Sequence, residues 1–489
     1  MEPQQTKTPR TAASGAQPWT SHVLHRSLLK QPQTVASASG SYVTLGSGHR
    51  ILDGCTGAGV AIIGHGNKDV QAAVMKQMST VSYAHTLAFT TDSAEDLADM
   101  LLEGRPYGLC KAYFVCSGSE ATDSALKLAR QYHVENGQAG RTRLVARRQA
   151  YHGNTIGAMS VGSNLARKAP YEGALLLDNV THVSPTYGYR GQPDGETEEA
   201  YAERLVDELD AELQSLGPET VMAFIAEPVG GATAGCITAP RGYFAGVRRV
   251  CDKHGVLLIL DEVMCGGGRT GSYFAFAQEG DVGPDLVTLG KGLGGGYAPI
   301  AGVLAHERVV DVLRRGTGTF VHGHTYQAHP VSCAAALAVQ KVLRRDDLVS
   351  QCAAKGAALE ASLRSALGGR RHVGDVRGRG LFWALEFVQD RASKRPFAPA
   401  VRFATRVRDE AQALGLAVYP GTGTADGLSG DHVILAPPLN ISGEDLALLV
   451  KLLEEAYGRV EREVEQAEQA EQAEQALAVW AARARGEDG

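Results

Sequence analysis

Between residues 111 and 305, short apolar runs recur at wide intervals: KAYFVC (111–116), TRLVAR (142–147), TVMAFIAEPV (220–229), VLLILDEV (256–263), DLVTLG (285–290) and PIAGVLA (299–305). Most are continuously apolar rather than alternating, and each is too short for a helix. Such runs suit strands buried on both faces. Helical patterns such as RGYFAGVRRVCDKHG (241–255) lie between them. Strands alternating with helices predict an α/β fold, a mostly parallel sheet with helices on both sides. Before this region, YVTLGSGHRILDG (42–54) reads as two short strands around a turn, after an irregular arm to about residue 40. After about 345 the rhythm changes. An amphipathic helix, a strand pair around RGRG (377–380), a helix at 400–415, DHVILAPPLNIS (431–442) and a further helix predict a smaller α+β domain. The expected division is 1–64, 65–342, 343–462, and a tail at 463–489. The tail repeat EQAEQAEQAEQA has a period of three. On a helix of 3.6 residues per turn its alanines wind around the axis, so it predicts a solvated helix or a disordered segment.

Composition removes several function classes. The net charge is -6 with both signs interspersed, which argues against a nucleic-acid or polybasic membrane surface. No apolar run approaches the roughly 18–20 residues of a spanning helix. The first twenty residues lack the apolar centre of a secretory signal, and a mitochondrial transit peptide fits them poorly. The eight cysteines form no C-x-x-C pair, so no metal site or redox dithiol is expected and a cytoplasmic location fits them.

In a parallel α/β sheet, ligands bind beyond the carboxyl ends of the strands. After KAYFVC comes Ser117-Gly118-Ser119-Glu120, opening a helix whose first N–H groups have no intrahelical acceptor. Gly118 admits close approach and Ser119 adds a hydroxyl, which suits a phosphate; a plain serine N-cap is the alternative. Asp261 ends a buried strand, where a carboxylate needs a cation or strong donors. It and Glu262 face opposite ways, so one of them meets the crevice. Tyr151, in YHGNT, offers a flat ring at another strand end, or a core aromatic. Lys291 stands among glycines just past DLVTLG, yet G-x-x-x-x-G-K-[ST] fails there: residue 285 is Asp and residue 292 is Gly. A phosphate cradle, an acid for a ring cation, a stacking ring and a reactive lysine together match pyridoxal 5′-phosphate, which needs a lysine for its Schiff base.

SGSEATDSALKLAR, YHGNT, AFIAEPV, LLILDEVMCGGGRTGSYFAF, PDLVTLGKGLGGGYAPIAGVLA, HTYQAHPVSCAAALA and APPL, in this order, resemble the class III (ω-amino acid) pyridoxal-phosphate aminotransferases of fold type I. The resemblance runs from about residue 20 to 460. It implies a large cofactor domain with a seven-stranded sheet and a small domain made of both chain ends. It implies at least a homodimer with shared active sites, and amine and keto acid substrates. Residue by residue it implies Lys291 as the Schiff-base lysine and proton shuttle, and Asp261 at the ring nitrogen. Val263 would oppose Tyr151 across the ring, Gly118 and Ser119 would hold the phosphate, and Thr325 would reach it from the neighbouring subunit. Glu227 would be positional. The glycines around Lys291 would leave the lysine room to swing. An epimerase, aminomutase or decarboxylase on the same fold is the alternative activity.

Three positions depart from the family's substrate grips. Members acting on ornithine, acetylornithine or γ-aminobutyrate pair a Glu, here Ala232, with an Arg, here Ile434. Amine:pyruvate-type members carry a mobile Arg where Gly427 stands. Amines, amino alcohols or apolar ω-amino compounds are therefore expected over α,ω-dicarboxylates. Arg190 and Arg379 are the candidate cations for a donor carboxylate, with a surface salt bridge as the favoured alternative role for each.

Overall fold

The structure is a computed structural model and describes residues 21–280 and 282–484. The first twenty residues of the expected arm lie outside the described residues. The remainder of that arm is not all irregular: β1 (Val35–Ser39) pairs antiparallel with β2 (Tyr42–Leu45), which pairs with β3 (Arg50–Asp53).

The large sheet takes β4 (Leu109–Val115), β5 (Arg143–Arg147), β6 (Val180–Val183) and β7 (Val221–Ala226). A two-stranded ribbon, β8 (Val229–Gly230) and β9 (Ile237–Thr238), interrupts the series. β10 (Leu257–Asp261), β11 (Leu286–Leu289) and β12 (Ala301–His306) complete it. The order is β4-β12-β11-β10-β7-β5-β6. All neighbours are parallel except β12, which runs antiparallel to both β11 and β4. Its direction follows from chain length. A parallel crossover needs about a dozen or more residues, usually with a helix, and residues 290–300 form only a tight turn.

Alternate residues of one strand enter opposite cores, which is why these runs are continuously apolar. Leu258 and Leu260 of β10 join one apolar cluster with Phe224 and Val287. Leu257 and Ile259 join the other with Ile225 and Leu286. β6 was not legible, since VTHV is a partly exposed edge with one buried residue.

The smaller unit holds β13 (Val373–Arg379), β14 (Phe382–Phe387), β15 (Leu416–Ala417), β16 (Tyr419–Thr422) and β17 (Asp431–Leu435). β15 pairs in parallel with β3, so both ends of the chain share one sheet. Arg269 adds a further tie. Its buried guanidinium donates to the carbonyls of Leu381 and Pro437 and to Thr56 Oγ1.

One helix, Gly443–Ala484, runs through the tail boundary expected at 463. Among the described side chains Val464 is its last buried core residue, and the repeat beyond is mostly exposed. Glu465 and Glu468 lie 3.5 and 2.8 Å from Arg371, so the first repeats are held at the surface by ion pairs. Among the described residues no helix is long and apolar enough to cross a membrane.

Candidate active site

The plain serine N-cap reading of SGSE falls to Ser117. Ser117 is the N-cap of the helix Gly118–Glu135, its Oγ accepting from Glu120 N at 3.3 Å. Glu120 turns back to accept the N–H of Cys116 at 2.8 Å. This cap leaves the N–H groups of Gly118 and Ser119 without intrahelical acceptors. Ser119 Oγ accepts the N–H of Asn154 at 2.9 Å, which draws the YHGNT loop against the helix start. Gly153 in that loop has φ 135°, and a Cβ on it would fall 2.7 Å from Ser119 Oγ.

Asp261 and Glu262 do face opposite ways. Glu262 points from the crevice and accepts the N–H groups of Ala275 and Phe276 at 2.9 and 2.7 Å. Burial pushes its carboxyl up to about 8, against those two donors. Asp261, 3% exposed, is gripped from three sides: by Val263 N at 3.0 Å, Thr288 Oγ1 at 2.9 Å and His152 Nδ1 at 2.7 Å. A carboxylate only accepts, so the His152 Nδ1 proton points at Asp261. Thr288 follows from the pairing of β10 with β11, where Asp261 stands opposite Thr288. His152 was not singled out by sequence reasoning. Its one signal is that it follows Tyr151 in YHGNT.

Lys291 is half-buried at the end of β11, in the left-handed region at φ 42°. Burial lowers its ammonium below the ordinary lysine range, while Asp261 and Glu227 oppose the shift. The surrounding glycines let the turn pack closely. A Cβ at Gly292 would lie 2.8 Å from Ile62, and one at Gly294 would lie 2.5 Å from Ile300. Packing of the turn, and not only freedom for the lysine, therefore requires them. Val263 lies against both Gly118 and Gly290, where added Cβ atoms would come within 2.7 and 3.2 Å of its Cγ1. Glu227 is buried and holds the N–H groups of Tyr151 and Gly231 at 3.2 and 2.9 Å, a positional arrangement.

A cavity of about 360 Å³ opens at Lys291, and Tyr151, Ala232 and Gly427 also line it. Ile434 does not; it is fully buried in an apolar cluster with Val229, Phe382 and Ala384. The two arginines expected as substrate cations stand outside the cavity and are already paired. Arg190 is bound to buried Glu386 at 2.6 Å, and Arg379 to Glu279 at 2.6 Å. Thr325 is exposed, on the segment between the helices Glu307–Arg315 and Pro330–Arg345, and does not line this cavity.

These residues suit pyridoxal phosphate: unpaired N–H groups and a hydroxyl for its phosphate, a thrice-held carboxylate for its ring, and an amine made less basic by burial. The family model for class-III aminotransferases matches residues 25–457. An aminotransferase of Gibberella zeae is 45% identical, over 88% of this chain and 85% of its own length. An uncharacterized aminotransferase of Schizosaccharomyces pombe is 45% identical, over 92% and 98%. The structure of an amine transaminase from an uncultivated Pseudomonas species, in its PLP-bound form, superposes with a TM-score of 0.83 at 34% identity, over 92% of this chain and 100% of that one. The chain belongs to the class-III aminotransferase family and is a pyridoxal-phosphate-dependent transaminase of fold type I.

Proposed function

We propose that this transaminase takes its amino group from an amine, amino alcohol or apolar ω-amino donor and passes it to a keto acid such as pyruvate, disfavouring α,ω-dicarboxylates. The observation that carries this reading is the apolar filling of the usual grip. Ala232 lines the cavity, Ile434 is sealed in an apolar cluster, and no acid–arginine pair joins them.

The bound cofactor supplies an electron sink for the bond broken at the substrate carbon. The chain's residues do the rest. The Gly118 and Ser119 N–H groups and Ser119 Oγ would hold the phosphate. Asp261, immobilised by Thr288, Val263 N and His152, would face the ring nitrogen and favour its protonated form. Tyr151 and Val263 would hold the ring from its two faces. Lys291 Nζ, made less basic by burial, would be the amine that tethers the cofactor and the base that moves the substrate Cα proton.

A second copy of the chain completes the site through Thr325. The exposure of Val321 and Tyr326 beside it supports a homodimer covering this surface. Eight free thiols, most of them buried, suit the cytoplasm.

The test is a half-reaction. Holoenzyme is mixed with single amines and no acceptor, and loss of the cofactor's visible band is followed together with ketone or aldehyde release. Pyruvate is then added and alanine measured. Glutamate or ornithine outperforming every amine in kcat/KM would overturn the preference.

A further inference from the structure

We infer that Arg167 is the cation that seizes the carboxylate of the keto acid and of the amino acid formed from it. This rests on the transaminase reading above and names the grip that Ala232, Gly427 and Ile434 do not provide.

The lining of the cavity carries the argument. Among the described residues it has three cations, Lys291, Arg167 and Arg26, and no carboxylate. Lys291 is committed to the cofactor. Arg26 is exposed at the rim, in the segment before β1. Arg167 is partly buried, and among the described residues it forms no ion pair. Its Nη1 donates to Tyr151 Oη at 3.1 Å, and its guanidinium carbon lies 5.1 Å from the Tyr151 ring centroid. An arginine has five N–H donors in a rigid fork, so a bidentate face remains after one is used. Contact with Tyr151 sets that face beside the ring expected to stack on the cofactor, which reduces the ordering cost of binding.

The local backbone gives Arg167 a fixed base. It belongs to the four-residue helix Leu165–Lys168, where Asn164 caps its N–H at 3.3 Å. Lys168 Nζ donates to the carbonyls of Ser160 and Gly162 at 3.2 and 2.9 Å, tying this turn to the preceding helix, Ile156–Val161. Leu165 occupies the space next to Gly427: a Cβ there would fall 2.8 Å from Leu165 Cδ1, at φ 93°. A side chain at 427 would need Leu165 to shift and would strain a left-handed backbone. The element packed against 427 presents an arginine two residues after Leu165.

Matched substrates isolate the carboxylate. Alanine and isopropylamine differ by a carboxylate against a methyl group, as do pyruvate and acetone. Half-reactions are measured for wild type, Arg167→Leu, Arg167→Lys, Arg26→Leu and Tyr151→Phe. Binding of 2-aminoisobutyrate, which has no hydrogen on Cα and cannot react through it, is titrated by the cofactor's visible absorbance. Arg167→Leu is expected to lower kcat/KM for alanine and pyruvate about 10- to 100-fold, the loss of a charge-assisted pair. It should weaken 2-aminoisobutyrate in parallel and leave isopropylamine and acetone within about threefold of wild type. Arg167→Lys should recover part of the loss. An equal fall for both members of each pair, matched by Tyr151→Phe, would mean that Arg167 only orients the tyrosine, and would overturn the assignment. A selective loss in Arg26→Leu and none in Arg167→Leu would also overturn it. A wild type inert toward every amine and amino acid would instead defeat the transaminase reading itself.

Discussion

Gly118→Ala should weaken this protein at a place where helix propensity alone calls for a gain. Residue 118 opens the helix Gly118–Glu135, and alanine is preferred to glycine inside helices by up to about 1 kcal/mol. The new Cβ would lie 2.7 Å from Val263 Cγ1 and 3.2 Å from its Cγ2. Carbon atoms pack comfortably at roughly 3.5–4.0 Å, so Val263 must retreat by about 1 Å. Valine is stiff at χ1, and the Gly290 backbone lies near the same methyl, so Val263 has little freedom to yield. Overpacking of this kind costs about 1–3 kcal/mol, which outweighs the propensity gain. Urea unfolding of the apoprotein measures the packing, and the equilibrium affinity for pyridoxal phosphate measures the site. Gly118→Ala should lower both. In a Val263→Ala background the same change should be neutral or stabilising, a coupling of about 1 kcal/mol or more. Additivity within about 0.3 kcal/mol would refute the claim that Gly118 is required by Val263.

Two further outcomes follow from the carboxylates. The folded value of Glu262, about 8, lies above that of a free glutamate, so its contribution to stability is complete in acid and is lost as pH rises through 8. Wild type should therefore lose stability relative to Glu262→Gln between pH 5 and pH 9, on the order of a few kcal/mol; a difference in melting temperature that stays constant with pH would contradict this. Asp261→Asn keeps the shape but removes the charge, and should slow the amine half-reaction roughly 10²- to 10³-fold. Unchanged half-reaction rates would separate Asp261 from the chemistry.

The large sheet was legible because its central strands are buried on both faces: a run such as Leu257–Leu260 has no polar position to obscure it. The direction of β12 depended on the length of a turn, and the edge strand β6 on neighbours that its own residues do not reveal. The strand ends bearing Asp261 and Lys291 could be found because a charge after an apolar run is conspicuous. His152 and Arg167 are not conspicuous. The first reaches Asp261 across 109 residues of sequence, and the second rides on a four-residue helix with no periodicity to read. For Arg190 and Arg379 the sequence favours a salt bridge over a substrate role, and the structure pairs both, but with buried partners that the sequence does not name. Their partners, Glu386 and Glu279, are 196 and 100 residues away, distances over which sequence gives no pairing rule. The absence of a grip at 232 and 434 could be read directly, but the packing of Ile434 that makes it structural could not.

The most direct test of the account is the amine half-reaction of Lys291→Ala beside wild type, both loaded with pyridoxal phosphate. Wild type should release one ketone or aldehyde per site as its visible band disappears. The variant should retain the cofactor yet run this step about 10²- to 10⁴-fold slower, since the group that moves the Cα proton is gone. A variant that released ketone within tenfold of the wild-type rate would show that Lys291 is not the working amine.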